Sequence, residues 1–140
     1  RCAERWAVPV RFPDVFPING LHALRVATFA LRHAPDRFPA CHRALFRAAW
    51  RDGLDVSRRE VSIEVGVASG LEAAAVAAGI ESAEVKDLLR AETTRAQERG
   101  VFGVPSFFLG EELFFGHDRI DYLRRAVEQA AGSPSAGRKD

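Results

Sequence analysis

The residues best suited to contact a ligand lie within positions 100–119, GVFGVPSFFLGEELFFGHDR. Pro105 heads an apolar run, and proline in a sheet is confined to strand starts and edges. A cis Val104–Pro105 bond, which costs only about 0.5–1 kcal/mol before proline, would turn the N–H and C=O of Val104 outward. They could then pair with an extended peptide. His117 and Asp118 add two polar side chains after the second apolar run, although Asp118 could also simply cap the following helix.

The cysteines do not indicate a redox or metal site. Cys2 and Cys41 are the only two, they lie far apart, and neither belongs to a C-x-x-C pair. We interpret both as small buried apolar residues. Cys41, His42 and His33 lack the spacing of a standard metal site, so no metal is expected.

Composition narrows the class of protein. The 140 residues are 47% hydrophobic and 28% charged, which is typical of one globular domain. The formal net charge of +1 gives no broad field for nucleic acid or anionic lipid, so neither is an expected partner. No apolar run is long enough to span a membrane and none resembles a signal peptide. A cytoplasmic location is therefore the default expectation.

Prolines divide the first part of the chain from a helical block. Three of them, spaced four residues apart at positions 9, 13 and 17, forbid a helix and favour extended chain. They predict a short strand at about 8–12 and then an extended loop. From Asn19, a suitable N-cap, helical periodicity and breakers predict five helices within about 19–99. The second helix is expected to bury Trp50.

The period of the apolar residues changes near the C-terminus. PSFFL and ELFF flank Gly110-Glu111, which predicts a β-hairpin with a two-residue turn. An isolated hairpin is marginally stable, so we expect strand 8–12 to lie beside 106–109 in a three-stranded sheet. A last helix is predicted at 119–131 and a disordered tail at 132–140. Uncovered sheet edges would favour a homodimer or self-association.

These motifs carry a family resemblance. GVFGVPSFFLGEELFFGHDRIDYLRRA resembles the C-terminal β-β-α segment of DsbA-like thioredoxin-fold proteins, specifically the 2-hydroxychromene-2-carboxylate isomerases and kappa-class glutathione transferases. RWAVPVRFPDVFPIN is similar to the strand and proline-rich loop before their helical insertion. The resemblance implies an α/β, thioredoxin-like (DsbA-like) domain over 1–131, with a large helical insertion at about 19–99 and without its N-terminal βαβ half.

The resemblance also implies a function and site residues. It implies a glutathione-dependent isomerase, or a related transferase, that acts on a small aromatic substrate in aromatic-compound catabolism. Val104, before a cis Pro105, would hold the cysteinyl backbone of the cofactor glutathione. His117 and Asp118 would bind its γ-glutamyl end, although the family more often has Ser, Asn or Gln at the His117 position. The residues that match the family's substrate-pocket loop are Phe12, Phe16, Pro17 and Asn19.

The chain departs from the family pattern at the reacting group. The serine that activates the thiol in these families would lie before Arg1, and Ser106 is not equivalent because it starts a strand. The chain alone is therefore expected to be inactive. Two alternatives stay open: a DsbA-like protein disulfide oxidoreductase, which would need Cys-x-x-Cys at the missing position, and a non-catalytic remnant of the fold. The Gly-His-Asp-Arg turn favours the glutathione-dependent isomerase or transferase over a disulfide oxidoreductase.

Overall fold

The computed structural model describes Glu4 and residues 7–132, so all but the first residue of the predicted tail lies outside the described residues. The chain divides into two compact units, Arg1–Thr93 and Thr94–Asp140. The helices are α1 (Leu21–His33), α2 (Phe38–Trp50), α3 (Arg59–Ala68), α4 (Ala73–Gly79), α5 (Ala83–Glu98) and α6 (Ile120–Gly132). The strands are β1 (Ser106–Leu109) and β2 (Glu112–Phe115), followed by a 3-10 turn at His117–Arg119. None of the described helices is long and apolar enough to cross a membrane.

Local capping chemistry places several of these helix boundaries. The Asn19 side-chain oxygen accepts from the Leu21 N–H (3.0 Å), although the N-cap position itself is Gly20, one residue after the predicted Asn19. The Ser82 hydroxyl accepts from the Val85 N–H (3.2 Å) and begins α5 as predicted. Glu72, which the sequence reading did not single out, caps α4 by accepting from two backbone N–H groups. Those two bonds lower the pKa of the Glu72 carboxyl.

The core of the first unit is formed by α1, α2, α4 and the start of α5. The largest of its completely buried apolar side chains are Val26, Cys41, Val76, Ile80 and Val85. Burial raises the pKa of the Cys41 thiol, which agrees with its predicted role as a small apolar residue. Gly66 of α3 packs against Val26, since a Cβ at Gly66 would lie 2.9 Å from Val26 Cγ1.

One carboxylate ties three helices of this unit together. Glu81, in the turn before α5, faces Lys86 at 3.0 Å, Arg59 at 3.4 Å and Arg25 at 3.9 Å. Its hydrogen bond to Lys86, with the other two cations, holds the pKa of Glu81 below its usual range. The three basic residues belong to α5, α3 and α1, so Glu81 is a junction of the helical block.

The predicted strand at 8–12 is wrong. These residues form no strand, and the sheet within the described residues has two strands, β1 and β2, rather than three. The backbone of this segment makes one bond to the helical block, from Arg11 N–H to the Trp50 carbonyl oxygen (2.8 Å). A strand needs a continuous ladder with a neighbour, and the prolines at positions 9 and 13 remove donors on either side of that bond.

The second unit contains the predicted hairpin. Leu109 pairs with Glu112 across a turn in which Gly110 has φ +61°, a conformation that glycine adopts without cost. The guanidinium of Arg99 lies 3.6 Å above the Phe108 ring and donates to the Gly110 carbonyl oxygen at 3.3 Å. With α6 packed against β1, these contacts support a sheet of only two strands.

Candidate functional site

The turn before β1 presents unpaired main-chain groups. The Val104–Pro105 peptide bond is cis, the form that the sequence predicts. Val104 is 86% exposed. Within residues 7–132 neither its N–H nor its carbonyl oxygen has a hydrogen-bond partner. A donor and an acceptor on one exposed residue can pair with the backbone of a bound peptide.

Hydrogen bonds hold this turn in place beside the end of β2. Gly116 donates its N–H to the Pro105 carbonyl oxygen at 2.9 Å. The Ser106 hydroxyl donates to the Gly103 carbonyl oxygen at 2.7 Å. Gly103 also lies against the Phe115 ring, because a Cβ there would be 2.9 Å from Phe115 Cε2. The predicted residues Val104 and Pro105 are thus linked directly to the segment that carries the other predicted pair.

His117 and Asp118 begin the 3-10 turn that leads into α6. Gly116 has φ +100°, and the Asp118 carboxylate occupies the place where a Cβ of residue 116 would stand. Only glycine fits there. Asp118 is two-thirds exposed and makes a loose ion pair with Arg119 (3.7 Å). The carboxylate therefore remains accessible to a cationic ligand group.

A groove beside this segment contains residues that the sequence reading did not assign to a site. It has a volume of about 410 Å³ and is lined by Glu112, Leu113, Phe114, Phe115, Arg119 and Tyr122. The Arg119 guanidinium lies 5.4 Å from the centre of the Tyr122 ring. No local motif signals this groove, because strand and helix residues meet there only after the hairpin folds.

The four residues predicted to line a substrate pocket lie in the first unit, in the irregular segment before α1. Phe12, Phe16, Pro17 and Asn19 are all exposed. The Phe12 ring lies 4.8 Å from the Phe16 ring and 6.4 Å, edge to face, from the Trp50 ring. The Phe16–Pro17 bond is also cis. Asn19 uses its side chain to accept from the Leu21 N–H at the start of α1.

An apolar groove of about 260 Å³ lies between α1 and α2, next to this segment. Its lining includes Ile18, Gly20, Leu24, His42, Phe46 and Trp50. Every lining residue except His42 is apolar or glycine. The four predicted residues do not line it; their neighbours at positions 18 and 20 do, and Phe12 reaches it through Trp50.

Trp50 is 37% exposed, so its predicted core position is wrong. The His42 ring lies 5.4 Å from the Phe38 ring and 5.0 Å from the Phe46 ring, which adds a polarisable wall to the groove. An apolar groove walled by aromatic rings suits a planar ring. The spacing of Phe46 and Trp50 places both on one face of the helix, but it cannot show whether that face lines a groove or packs in the core.

The family is shown by comparison with known proteins. The model of the DSBA-like thioredoxin domain matches residues 1–128. The chain belongs to the DSBA-like thioredoxin domain family, and the predicted fold class is confirmed.

Particular relatives share one name. The chain is 33% identical over 135 residues to a 2-hydroxychromene-2-carboxylate isomerase of Pseudomonas sp. (strain C18), covering 96% of this chain and 62% of the relative. It is 31% identical over 124 residues to the protein of that name from Sphingobium xenophagum, covering 86% and 62%. A solved structure of a 2-hydroxychromene-2-carboxylate isomerase superimposes with a TM-score of 0.76 at 25% identity, covering 92% of this chain and 62% of that one. The chain thus spans about 62% of the length of these relatives.

Proposed function

We propose that this chain is part of a glutathione-dependent isomerase of the 2-hydroxychromene-2-carboxylate isomerase type, acting on a small aromatic carboxylate. A related glutathione transferase activity is the nearest variant of this proposal. The relatives' names support the isomerase class. The observation that carries the glutathione part is the exposed Val104, whose N–H and carbonyl oxygen are both unpaired among the described residues.

The residues present fit a γ-glutamyl peptide. Val104 would pair with the cysteinyl backbone, while the accessible Asp118 carboxylate would accept from the γ-glutamyl ammonium. His117 stands beside it at the first turn of a helix, where backbone N–H groups favour a carboxylate. When bound, glutathione would supply a thiol for reversible addition to the unsaturated substrate.

The groove between α1 and α2 is the proposed position of the aromatic part of the substrate. Its apolar lining and the rings of Phe46 and Trp50 suit a planar ring of that class. Cys41 is not a candidate for the reactive thiol of a disulfide oxidoreductase, because it is fully buried and its thiol pKa is raised. A reactive cysteine requires exposure and a lowered pKa.

Titration of the ¹⁵N-labelled 140-residue chain with reduced glutathione tests the binding residues. We expect saturable shifts at the backbone amides of Val104 and of residues 116–119. Asp118→Asn should weaken binding by about tenfold or more, the value of one charge-assisted hydrogen bond. Asp121→Asn is the matched control, because it removes another first-turn carboxylate of the same segment.

Cysteinylglycine, which lacks the γ-glutamyl group, separates the two contacts. It should still shift Val104 but should bind the Asp118→Asn variant as well as the original chain. Equal weakening of glutathione by both variants, or shifts confined to the first unit, would contradict the assigned positions. We further expect no isomerase turnover by the 140-residue chain alone; measured turnover would show an activating group within it.

A further inference from the structure

A short segment of the chain concentrates positive charge. Residues 37–51 contain four arginines and no carboxylate, although the whole chain has a net charge of only +1. Arg43 and Arg47 belong to α2, and Arg51 follows its last turn. Residues four apart lie on one side of a helix, so the three guanidinium groups share a face.

These three arginines line one cleft. It lies between α2 and the C-terminal part of α3 and has a volume of about 410 Å³. Small side chains make the space, and the alanines that line it are Ala40, Ala44, Ala48 and Ala68. The cleft is separate from the apolar groove, which lies between α2 and α1 and is lined by other residues of α2.

The positive charge in the cleft is only partly balanced. Asp52 is the one carboxylate among the lining residues, and Arg51 holds it with bonds of 2.7 Å and 2.9 Å. That pairing, with a smaller contribution from the charge of Arg47, lowers the pKa of the Asp52 carboxyl, so Asp52 stays ionised and offsets one of the three positive charges. Arg43 and Arg47 form no ion pair with any residue that the structure describes.

Other nearby groups do not remove this excess. The C-terminal end of α3 contributes a partial negative charge of roughly one half. Arg37 lies close to Gly70, which follows the C-terminal end of α3. A Cβ atom added at Gly70 would be 3.5 Å from the Arg37 guanidinium. Arg37 is not among the lining residues, so the charge of the cleft is that of Arg43, Arg47, Arg51 and Asp52. The cleft, which is lined mainly by small side chains, therefore has about two positive charges that no carboxylate compensates.

We propose that this cleft binds a small dianionic oxyanion, either a phosphate group or a pair of carboxylates on one molecule. A planar guanidinium group binds two oxygens of a carboxylate or a phosphate through two parallel N–H···O bonds, which an ammonium group cannot do. Arg43 and Arg47 side chains begin about 5–6 Å apart at Cβ and can close on one dianion. The Ser69 hydroxyl lines the same cleft but donates its proton to the Val65 carbonyl oxygen (2.8 Å), so the guanidinium groups are the donors that would hold the anion.

The test titrates the ¹⁵N-labelled chain with inorganic phosphate, succinate and acetate at constant ionic strength. Phosphate or succinate should give saturable shifts at Arg43, Arg47 and Ser69, and acetate should bind at least about tenfold more weakly. The better of the two dianions identifies the source of the ligand. Equal, non-saturating effects of all three anions would overturn the proposal.

Matched variants separate a site from general charge. Arg43→Gln with Arg47→Gln should weaken dianion binding by about tenfold or more. Arg124→Gln with Arg125→Gln removes two exposed arginines from α6 and should leave binding unchanged. Thermal unfolding checks that each double variant is folded, and the single variants Arg43→Gln and Arg47→Gln should each give part of the loss. The same loss in both double variants would overturn the proposal.

Discussion

Gly79 and the ring of Phe29 define how closely α4 approaches α1, and Gly79→Ala tests that packing. A Cβ on Gly79 would overlap Phe29 Cδ2 and Cε2. Phe29 is only 8% exposed and belongs to the main apolar core, so its ring has no open direction in which to move. Overpacking a core costs about 1–3 kcal/mol. Alanine recovers up to about 1 kcal/mol of helix propensity, so we expect a net loss of about 1–2 kcal/mol.

Urea unfolding of the 140-residue chain, followed by circular dichroism, measures this loss. Gly20→Ala is the matched control, because a Cβ there meets nothing within 4 Å and should change stability by less than about 0.5 kcal/mol. In a Phe29→Leu background the penalty of Gly79→Ala should shrink by at least about 0.5 kcal/mol, since the two residues are in contact. An unchanged penalty in that background, or a Gly79→Ala chain as stable as the original, would refute the packing argument.

Two further predictions concern titratable groups of the helical block. The lowered pKa of Glu81 means that its ion pairs stabilise the fold fully above the ordinary value of 4.5, and that this part is lost as the pH falls through the lowered pKa. Glu81→Gln should therefore reduce stability at pH 7 and flatten the fall in unfolding free energy on acidification; an unchanged pH profile would show that the junction contributes nothing. Cys41 should react with iodoacetamide far more slowly in the folded chain than in urea, because it is buried and its thiol pKa is raised. A Cys2→Ser background isolates this thiol, and equal rates in both states would contradict its burial.

The residues proposed to bind glutathione come from the family resemblance, and what the sequence itself signals at these positions is the local backbone of the turn and the hairpin. Proline at position 105 and glycine at positions 103, 110 and 116 act on their own backbone and on that of their neighbours. The hairpin brings Gly116 back to Pro105 through a single bond of 2.9 Å. A motif of twenty residues thus contained both halves of that candidate site.

Sequence determined the helix boundaries and the hairpin turn, since Ser82, Asn19 and Gly110 each satisfy or bend the backbone within a few residues of themselves. Tertiary structure decided the rest. The composition of residues 8–12 favours an extended chain, but these residues form no strand, because a strand requires a neighbouring strand that completes its hydrogen-bond ladder. Likewise Trp50 became a groove wall and Arg43 a cleft wall, because which side of a helix is covered depends on the helices that pack against it.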